Sequence, residues 1–220
     1  MTNMLSIRLQ KIADMIAEGS NVIDIGCDHG FLDIYLTSVK NCTCIASDIS
    51  ENVLKNTRIN IKKYNLSSKI AVVCSDGLSN IDVNGYDTIV ISGMGTSTIL
   101  DILDNDKVFD KNLIIQSNND LEMLRRVMVD RGFYIFDEKV VFDKNKYYVI
   151  IYFKNGVKEY NEYDYLFGPI ARLNIENYDY YKYLLDKNLE IIKNISKDND
   201  KYKELEDYIY KIKKFTCINM

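Results

Sequence analysis

Acidic residues and glycines follow an apolar segment of this 220-residue chain, at a place where a ligand-binding loop would lie. The stretch NVIDIGCDHG, residues 21–30, leads from an apolar run through Asp24 and Gly26 to Asp28 and His29. Glycine lets the backbone approach a ligand closely, and a helix after such a loop presents free N–H groups. The pattern predicts a strand followed by a nucleotide-binding loop.

The carboxylate at the centre of this loop separates two classes of nucleotide ligand. A dinucleotide fold places pyrophosphate over a glycine-rich loop, where Asp28 would repel it. The amino group and the sulfonium of S-adenosylmethionine would instead be attracted to Asp28. We therefore expect a cationic ligand, and an NAD-dependent oxidoreductase is the least favoured enzyme class.

Two further acids end the next two predicted strands. Asp48, in SDIS, lies about 20 residues past the loop, where an acid can accept both hydroxyls of a ribose. Asp76, in CSDGL, offers an acceptor for an adenine amino group. Each acid alone fits a solvated strand end equally well, but three acids at three consecutive strand ends favour S-adenosylmethionine.

A double-glycine turn, SGMGT, follows the fourth predicted strand. Gly93 and Gly95 would give an acceptor base close passage to the methyl group. The only histidine, His29, is interpreted as a packing or ligand-shaping residue rather than a proton carrier. With one His and no spaced thiol pair, the sequence predicts neither a metal site nor a Ser-His-Asp triad.

The elements that must position these residues follow a regular alternation. Up to about residue 155, apolar runs of strand length alternate with amphipathic stretches, which predicts βαβ units and a mostly parallel sheet. A helix ending at Gly19 is expected before the first strand, and Gly132 is expected to end the last helix of this part. Two runs flanking Lys144 and Asn145 predict an antiparallel hairpin at the sheet edge. The predicted strands cover 21–26, 42–48, 69–77, 86–95 and 112–118.

After about residue 158 the sequence becomes rich in Tyr, Asn, Lys and Asp, which predicts a separate unit. Apolar residues recur there at three- and four-residue intervals on both sides of 196–200, which is interpreted as a turn. The sequence predicts two antiparallel helices, with residues 178–183 as core and rim of that hairpin.

The composition of the chain limits its possible partners and its cellular location. The chain has 28 basic and 32 acidic residues, so any contact with nucleic acid must be local. Five cysteines without a CxxC pair, and the lack of a secretory signal, predict a cytoplasmic location. No apolar run approaches the roughly 20 residues that cross a bilayer. We expect a monomer without a membrane or metal partner.

In these residues and their order the chain resembles the bacterial tRNA adenine-22 N1-methyltransferases (TrmK). The match runs through LSIRL, DIGCDHGFL, IASDIS, DGL, IVISGMGTSTI, IIQSN, LR at 124–125 and FGP, in the family's order and over nearly the whole chain. The resemblance implies an α/β fold, with a Rossmann-like class I methyltransferase sheet in residues 1–157 and a C-terminal, coiled-coil-like helical hairpin in 158–220. It also implies methyl transfer from S-adenosylmethionine to N1 of adenine 22 in the D-arm region of tRNA.

The resemblance also assigns roles at the site. It places the first acid-and-glycine loop at the methionine end of the cofactor, Asp48 at its ribose, and the GMG turn at the methyl group. Asp28 is the catalytic candidate, because a carboxylate would stabilise the cationic product. The chain departs from the family pattern at Thr96, where a second glycine is usual, and at Asp33 and Ser117, where proline is usual; these departures concern the acceptor pocket. The expected cofactor-binding residues are Asp24, Gly26, Asp28, His29, Asp48, Ile49, Asp76, Gly77, Gly93, Met94 and Gly95.

An acidic protein that binds tRNA needs a basic face. The candidates are Arg8, Lys11, Arg58, Arg125 and Arg126, which also fit ordinary solvated helix faces. Two other functions remain open at this point: a class I methyltransferase of a protein or small molecule, and a non-catalytic module that keeps the fold to bind a partner. The three acids favour an enzyme.

Overall fold

A computed structural model of the chain describes residues 5–219. The chain forms two compact units, the first ending at Val157 and the second beginning at Lys158. No helix within the described residues is both long enough and apolar enough to span a membrane.

A seven-stranded sheet forms the centre of the first unit, counted over the residues described. Its strands are β1 (Asn21–Ile25), β2 (Thr43–Asp48), β3 (Ile70–Cys74), β4 (Thr88–Met94), β5 (Asn112–Ser117), β6 (Phe133–Asp143) and β7 (Lys146–Asn155). The strand order is β3-β2-β1-β4-β5-β7-β6, with β1 to β5 parallel and β7 antiparallel to both of its neighbours. The order reverses between β1 and β4, and a crevice for ligands opens at the carboxyl ends of strands at such a point.

Helices cover this sheet, so the predicted α/β fold class is confirmed. They are α1 (Ile7–Met15), α2 (Phe31–Val39), α3 (Glu51–Lys63), α4 (Thr96–Leu103) and α5 (Leu121–Asp130). Side chains of α1, α2 and α3 share one buried core with alternate residues of the central strands, among them Val22 and Val90. The predicted hairpin is also confirmed: Lys144 and Asn145 both have positive φ angles, as a two-residue turn between twisted strands requires.

The helix before β1 is shorter than the sequence predicted. It ends at Met15, not at Gly19, and the ammonium of Lys40 donates to the carbonyls of Ala13 (2.7 Å) and Ile16 at this end. A cation that binds the last carbonyls satisfies groups left open at a helix end. Gly19, with φ 75°, instead lies in the connection to β1.

The second unit contains the predicted pair of helices, α7 (Tyr178–Ile192) and α8 (Asp200–Phe215), which pack together around Tyr181, Leu185, Ile209 and Ile212. An additional short helix, α6 (Glu162–Phe167), precedes them and was not predicted. Its start is fixed by a capping box, in which the Asn161 side chain accepts from the backbone of residue 164 and the Asp164 carboxylate accepts from the backbone of residue 161.

A buried ion pair joins α5 to β6 in the first unit. Nε of Arg125 donates to Oε1 of Glu138 at 2.9 Å, and the two side chains are 2% and 0% exposed. Charges removed from water are tolerated only where they are paired and hydrogen-bonded. The α5–β6 packing therefore depends on both members of the pair.

Replacing one member should destabilise the fold strongly. We expect Arg125→Met to lower the free energy of unfolding by about 3–5 kcal/mol, because the buried Glu138 would lose the positive charge of the Arg125 guanidinium. Urea denaturation followed by circular dichroism measures this loss. The double variant Arg125→Met/Glu138→Leu should recover most of it, and a double variant no more stable than the single one would contradict this explanation.

Candidate active site

The loop after β1 adopts left-handed backbone conformations at three positions. Gly26, Asp28 and Gly30 have φ angles of 78°, 51° and 72°. The N–H groups of Gly26 and Cys27 donate to the carbonyl of Ser47 on β2, at 2.8 and 2.9 Å. The start of the loop is therefore fixed to the neighbouring strand.

Two side chains of α3 hold the centre of the same loop. The Thr57 hydroxyl donates to the carbonyl of Asp28 at 2.6 Å, and the Asn60 amide donates to the carbonyl of His29 at 2.9 Å. With their carbonyls engaged, Asp28 and His29 direct their side chains to solvent, where these are 78% and 49% exposed and lie 3.6 Å apart. Both side chains are accessible to a ligand.

Asp24 occupies a different environment from the other acids. Its side chain is buried and lies within hydrogen-bonding reach of Asp33, an acid in the first turn of α2. The Asp33 oxygens find no N–H or O–H donor among the described residues, so the two carboxyls satisfy each other only when one is protonated. Asp24 thus lies in the interior below the loop, and the structure shows no exposed carboxyl there for a ligand.

Burial changes the titration of this pair. It is the largest cause that raises the pKa of Asp24 to about 7, against the lowering effect of the hydrogen bond with Asp33. Burial and the charge of Asp24 raise the pKa of Asp33 well above its usual value. A shared proton at neutral pH follows from both shifts.

The ends of β2 and β3 bring the next predicted residues to the same sheet edge. The Asp48 carboxylate accepts from the backbone N–H of Ser50 at 2.8 Å and is partly exposed, while Ile49 is 68% exposed. Asp76 is exposed, and the N–H of Ser75 donates to the carbonyl of Asp48 at 3.1 Å. An acid, an apolar side chain and a second acid therefore line adjacent strand ends.

The GMG turn closes over this edge from β4. A bulge between Ser92 and Met94 and a φ of 84° at Gly93 turn the chain toward α4, whose N-cap is Gly95. A Cβ on Gly26 would overlap Cε of Met94, so the loop after β1 and the GMG turn are in direct contact. A side chain at position 26 would separate them.

Gln116 near the end of β5 and Asn118 just after this strand support the turn, and no role was predicted for them. The Asn118 amide donates to the carbonyl of Gly93 at 2.7 Å and accepts from the Gln116 amide at 3.1 Å. Gln116 in turn accepts from Arg8 of α1 at 2.6 Å. The signal for this group was the QSN tripeptide at a strand end, where polar side chains meet a crevice.

Thr96 and Ser117, which were predicted to concern the acceptor pocket, lie against each other. The hydroxyls of Thr96 and Ser117 are 2.8 Å apart, and both residues are buried. Each hydroxyl also lies within 3.0 Å of the Asn119 carbonyl, at 2.6 and 2.9 Å. Thr96 on α4 therefore has a hydrogen-bonding partner on β5.

The predicted basic face is only partly present. Arg125 is a correction: it is buried in the ion pair with Glu138 and cannot contact RNA. Arg58, Arg126 and Lys11 lie at the surface, in ion pairs with Glu51 (2.5 Å), Glu122 (2.8 Å) and Asp14 (3.8 Å) respectively. Arg8 differs from these, because it lies beside Gly93.

This arrangement fits S-adenosylmethionine. The exposed Asp28 carboxylate lies where a cationic group would be attracted, Asp48 can accept from ribose hydroxyls, and Ile49 offers an apolar surface to a base. Gly26 provides the close approach, since a Cβ there would meet Met94. Over residues 5–219 no three His, Cys, Asp or Glu side chains lie together as a metal site requires.

Comparisons with known proteins give a consistent family. Residues 5–151 match the family model described as a methyltransferase domain. A tRNA (adenine(22)-N(1))-methyltransferase from Bacillus subtilis is 31% identical over 159 residues, which cover 70% of this chain and 67% of the relative.

Solved structures agree with these sequence relatives. M. capricolum TrmK in complex with S-adenosyl-homocysteine is 30% identical, with a TM-score of 0.87 over 97% of this chain and 98% of that one. A Streptococcus pneumoniae protein described as a putative tRNA (m1A22) methyltransferase, in complex with S-adenosyl-L-methionine, is 26% identical, with a TM-score of 0.82 over 96% and 99%.

The shared proton of Asp24 and Asp33 makes stability depend on pH. The folded pair keeps protons that the unfolded chain releases above about pH 4, so the free energy of unfolding should fall as pH rises from about 4 through neutral pH. Asp33→Asn replaces the second acid by a permanent donor, and we expect it to remove most of this slope and to stabilise the protein at neutral pH. Urea denaturation across this pH range measures both effects.

The control for this measurement is Asp130→Asn, which changes an exposed aspartate at the end of α5. It should leave the slope of the wild type unchanged. If Asp33→Asn and Asp130→Asn gave the same pH profile, the two carboxyls would not share a proton.

The contact between Thr96 and Ser117 should appear as an energetic coupling. Thr96→Val and Ser117→Ala should each lower the free energy of unfolding by about 1–3 kcal/mol, because each leaves buried polar groups with fewer partners. The double variant should lose less than the sum of the two, with a coupling of at least about 0.5 kcal/mol in a double-mutant cycle. Strict additivity would show that the two hydroxyls act independently.

Proposed function

Because the chain belongs to the tRNA (adenine(22)-N(1))-methyltransferase family, we propose that it methylates N1 of adenine 22 in tRNA, with S-adenosylmethionine as the methyl donor. The observation that carries the proposal is the contact between the loop after β1 and the GMG turn, where a Cβ on Gly26 would overlap Met94. This contact unites an acid-bearing cofactor loop with a glycine-lined approach for an acceptor.

The residues that would hold the cofactor come from three strand ends. Asp28 and His29 would lie at its methionine end, Asp48 and Ile49 at its ribose and base, and Asp76 with Gly77 at the adenine edge. S-adenosylmethionine supplies an electrophilic methyl group on a sulfonium. The Asp28 side chain, held outward by the bond from Thr57, would place negative charge near that cation. We assign residues 1–157 as the methyltransferase domain and 158–220 as an accessory helical hairpin.

The acceptor requires little acid–base chemistry from the protein. N1 of neutral adenine carries an exposed lone pair, so the protein must mainly align the ring and exclude water. The methylated ring becomes cationic, and the exposed Asp28 carboxylate is placed to stabilise the developing charge. Asp28 is therefore the proposed catalytic residue, acting by its charge.

The target atom also dictates how the substrate must bind. N1 of adenine is engaged in Watson–Crick pairing, so the base must be unpaired or turned out of its stack before it reacts. Gly93 and Gly95 leave room for such a base at the turn. The protein would act as a monomer in the cytoplasm, where its tRNA substrate is found, and the rival acceptors and the non-catalytic module have no observation in their favour.

Methyl transfer to defined tRNA transcripts tests this function. With labelled S-adenosylmethionine, we expect N1-methyladenosine in a transcript that has adenine at position 22 and no label in one that has guanine there, as read by nucleoside mass spectrometry. Asp48→Ala serves as the control that keeps the fold but loses the ribose acceptor, with a loss of about 1.5–3 kcal/mol in cofactor binding.

Two results would overturn the proposal in different ways. Equal labelling of both transcripts would place the reaction at another nucleotide. Cofactor binding without any transfer to tRNA would point to another acceptor, and cofactor affinity unchanged by Asp48→Ala would remove the assigned ribose site.

A further inference from the structure

One arginine differs from all the others in its electrostatic environment. The chain has six arginines, all of them within the described residues. Five are ion-paired: Arg58 with Glu51, Arg125 with Glu138, Arg126 with Glu122, Arg131 with Asp104, and Arg172 with Asp164. Among the described carboxylates, none lies within 4.0 Å of the guanidinium of Arg8.

Neutral groups hold Arg8 in place instead. Its Nη1 donates to Oε1 of Gln116 at 2.6 Å, and its guanidinium carbon lies 5.0 Å from the ring centroid of Tyr148. The Asp143 carboxylate accepts from the backbone N–H of Arg8 at 3.2 Å rather than from its side chain. These contacts orient the guanidinium over an aromatic face but do not neutralise its charge.

The guanidinium lies at the turn assigned to the acceptor side of the site. A Cβ built on Gly93 would lie 3.5 Å from Nη1 and 4.0 Å from Nη2 of Arg8. The chain of bonds from Arg8 through Gln116 and Asn118 ends on the carbonyl of Gly93. A single orientation of each amide satisfies every bond in that chain, so the guanidinium is fixed relative to the turn.

A half-buried cation without a counter-ion favours an anionic ligand. Partial removal from water makes the charge costly, and an oxyanion that accepts two N–H groups of the planar guanidinium would offset that cost. The other partly exposed arginines already have carboxylate partners, so an oxyanion would have to compete with those at their positions. At Arg8 an oxyanion would not have to displace a carboxylate.

We propose that Arg8 is the oxyanion-binding residue of the active site. The inference rests on the proposed function and deepens it. Two groups of the reaction share this chemistry: the carboxylate on the methionine part of the cofactor and a phosphate beside the target nucleotide. Either one, bound to Arg8, would be held at a fixed position relative to Gly93. Arg8 is therefore a positioning residue for the transfer.

The test compares Arg8→Gln, which removes the charge, with Arg8→Lys, which keeps it. The probes are S-adenosylhomocysteine, which carries the carboxylate, and 5′-methylthioadenosine, which lacks the whole amino-acid part; both are measured by calorimetry. The third measurement is KM for unmodified tRNA over a range of salt concentrations. Lys69→Gln removes an exposed charge at the amino end of β3, on the opposite edge of the sheet, and should change none of these values.

Two outcomes support the proposal and identify the oxyanion. If it is the cofactor carboxylate, Arg8→Gln should weaken S-adenosylhomocysteine binding by about 10- to 100-fold and leave 5′-methylthioadenosine unchanged. If it is a phosphate, the affinities for both nucleosides should persist and KM for tRNA should rise. The slope of log KM against log salt concentration should then fall by about one phosphate contact. In either case Arg8→Lys should recover part of the loss.

Other outcomes would overturn it. Arg8→Gln with normal binding of both nucleosides and normal KM would show that no oxyanion contacts Arg8. Arg8 would have only a structural role if Arg8→Gln weakened the binding of both nucleosides and of tRNA to the same extent and also lowered the unfolding temperature. Arg8→Lys would then show the same losses. A wild-type protein that binds S-adenosylhomocysteine but does not methylate tRNA would refute the proposed function, while the comparison of the two nucleosides would still decide whether Arg8 binds the carboxylate.

Discussion

The site depends on two hydrogen bonds that α3 makes to the loop after β1. Thr57 and Asn60 donate to the carbonyls of Asp28 and His29, and this holds a non-glycine residue in the left-handed region. Such a conformation is costly for an ordinary side chain and persists where the surroundings fix it. The two carbonyls are engaged by α3, and the two side chains are exposed. Without these bonds the loop could relax, and the carboxylate that favours a cationic ligand would lose its direction.

The opposite wall of the crevice is fixed by β5 rather than by the loop itself. Asn118 binds the carbonyl of Gly93, while Thr96 and Ser117 bind each other behind the turn. Both hydroxyls are buried, and each gives the other a hydrogen-bonding partner that glycine or proline could not offer. Asp33 contrasts with this pair, because it is buried beside another acid, Asp24, and the two carboxyls require a shared proton.

Much of this arrangement could be read from the sequence, because the parallel strands are short apolar runs that lead into Gly, Ser, Asn or Asp. The burial of individual residues within a helix could not be predicted from the sequence. Arg125 and Arg126 are adjacent and chemically identical, yet one is buried against Glu138 and the other lies at the surface, and only the packing of α5 on β6 distinguishes them. The helix α6 escaped prediction because its six residues are too few for a periodic pattern, although Asn161 three residues before Asp164 is a helix-start signal. The roles assigned to the site residues remain proposals.

Arg125 and Arg8 differ in the source of the negative charge that each guanidinium requires. A guanidinium removed from water must be matched by negative charge, and the source of that charge decides what the residue can do. Arg125 obtains it from within the chain and so stabilises the packing of a helix on a strand. Arg8 is held by an amide and an aromatic ring, which supply orientation without charge. A protein with a net charge of −4 has little general attraction for a polyanion. Its affinity for an anionic group must therefore come from single positions where the internal pairing of charges is left incomplete.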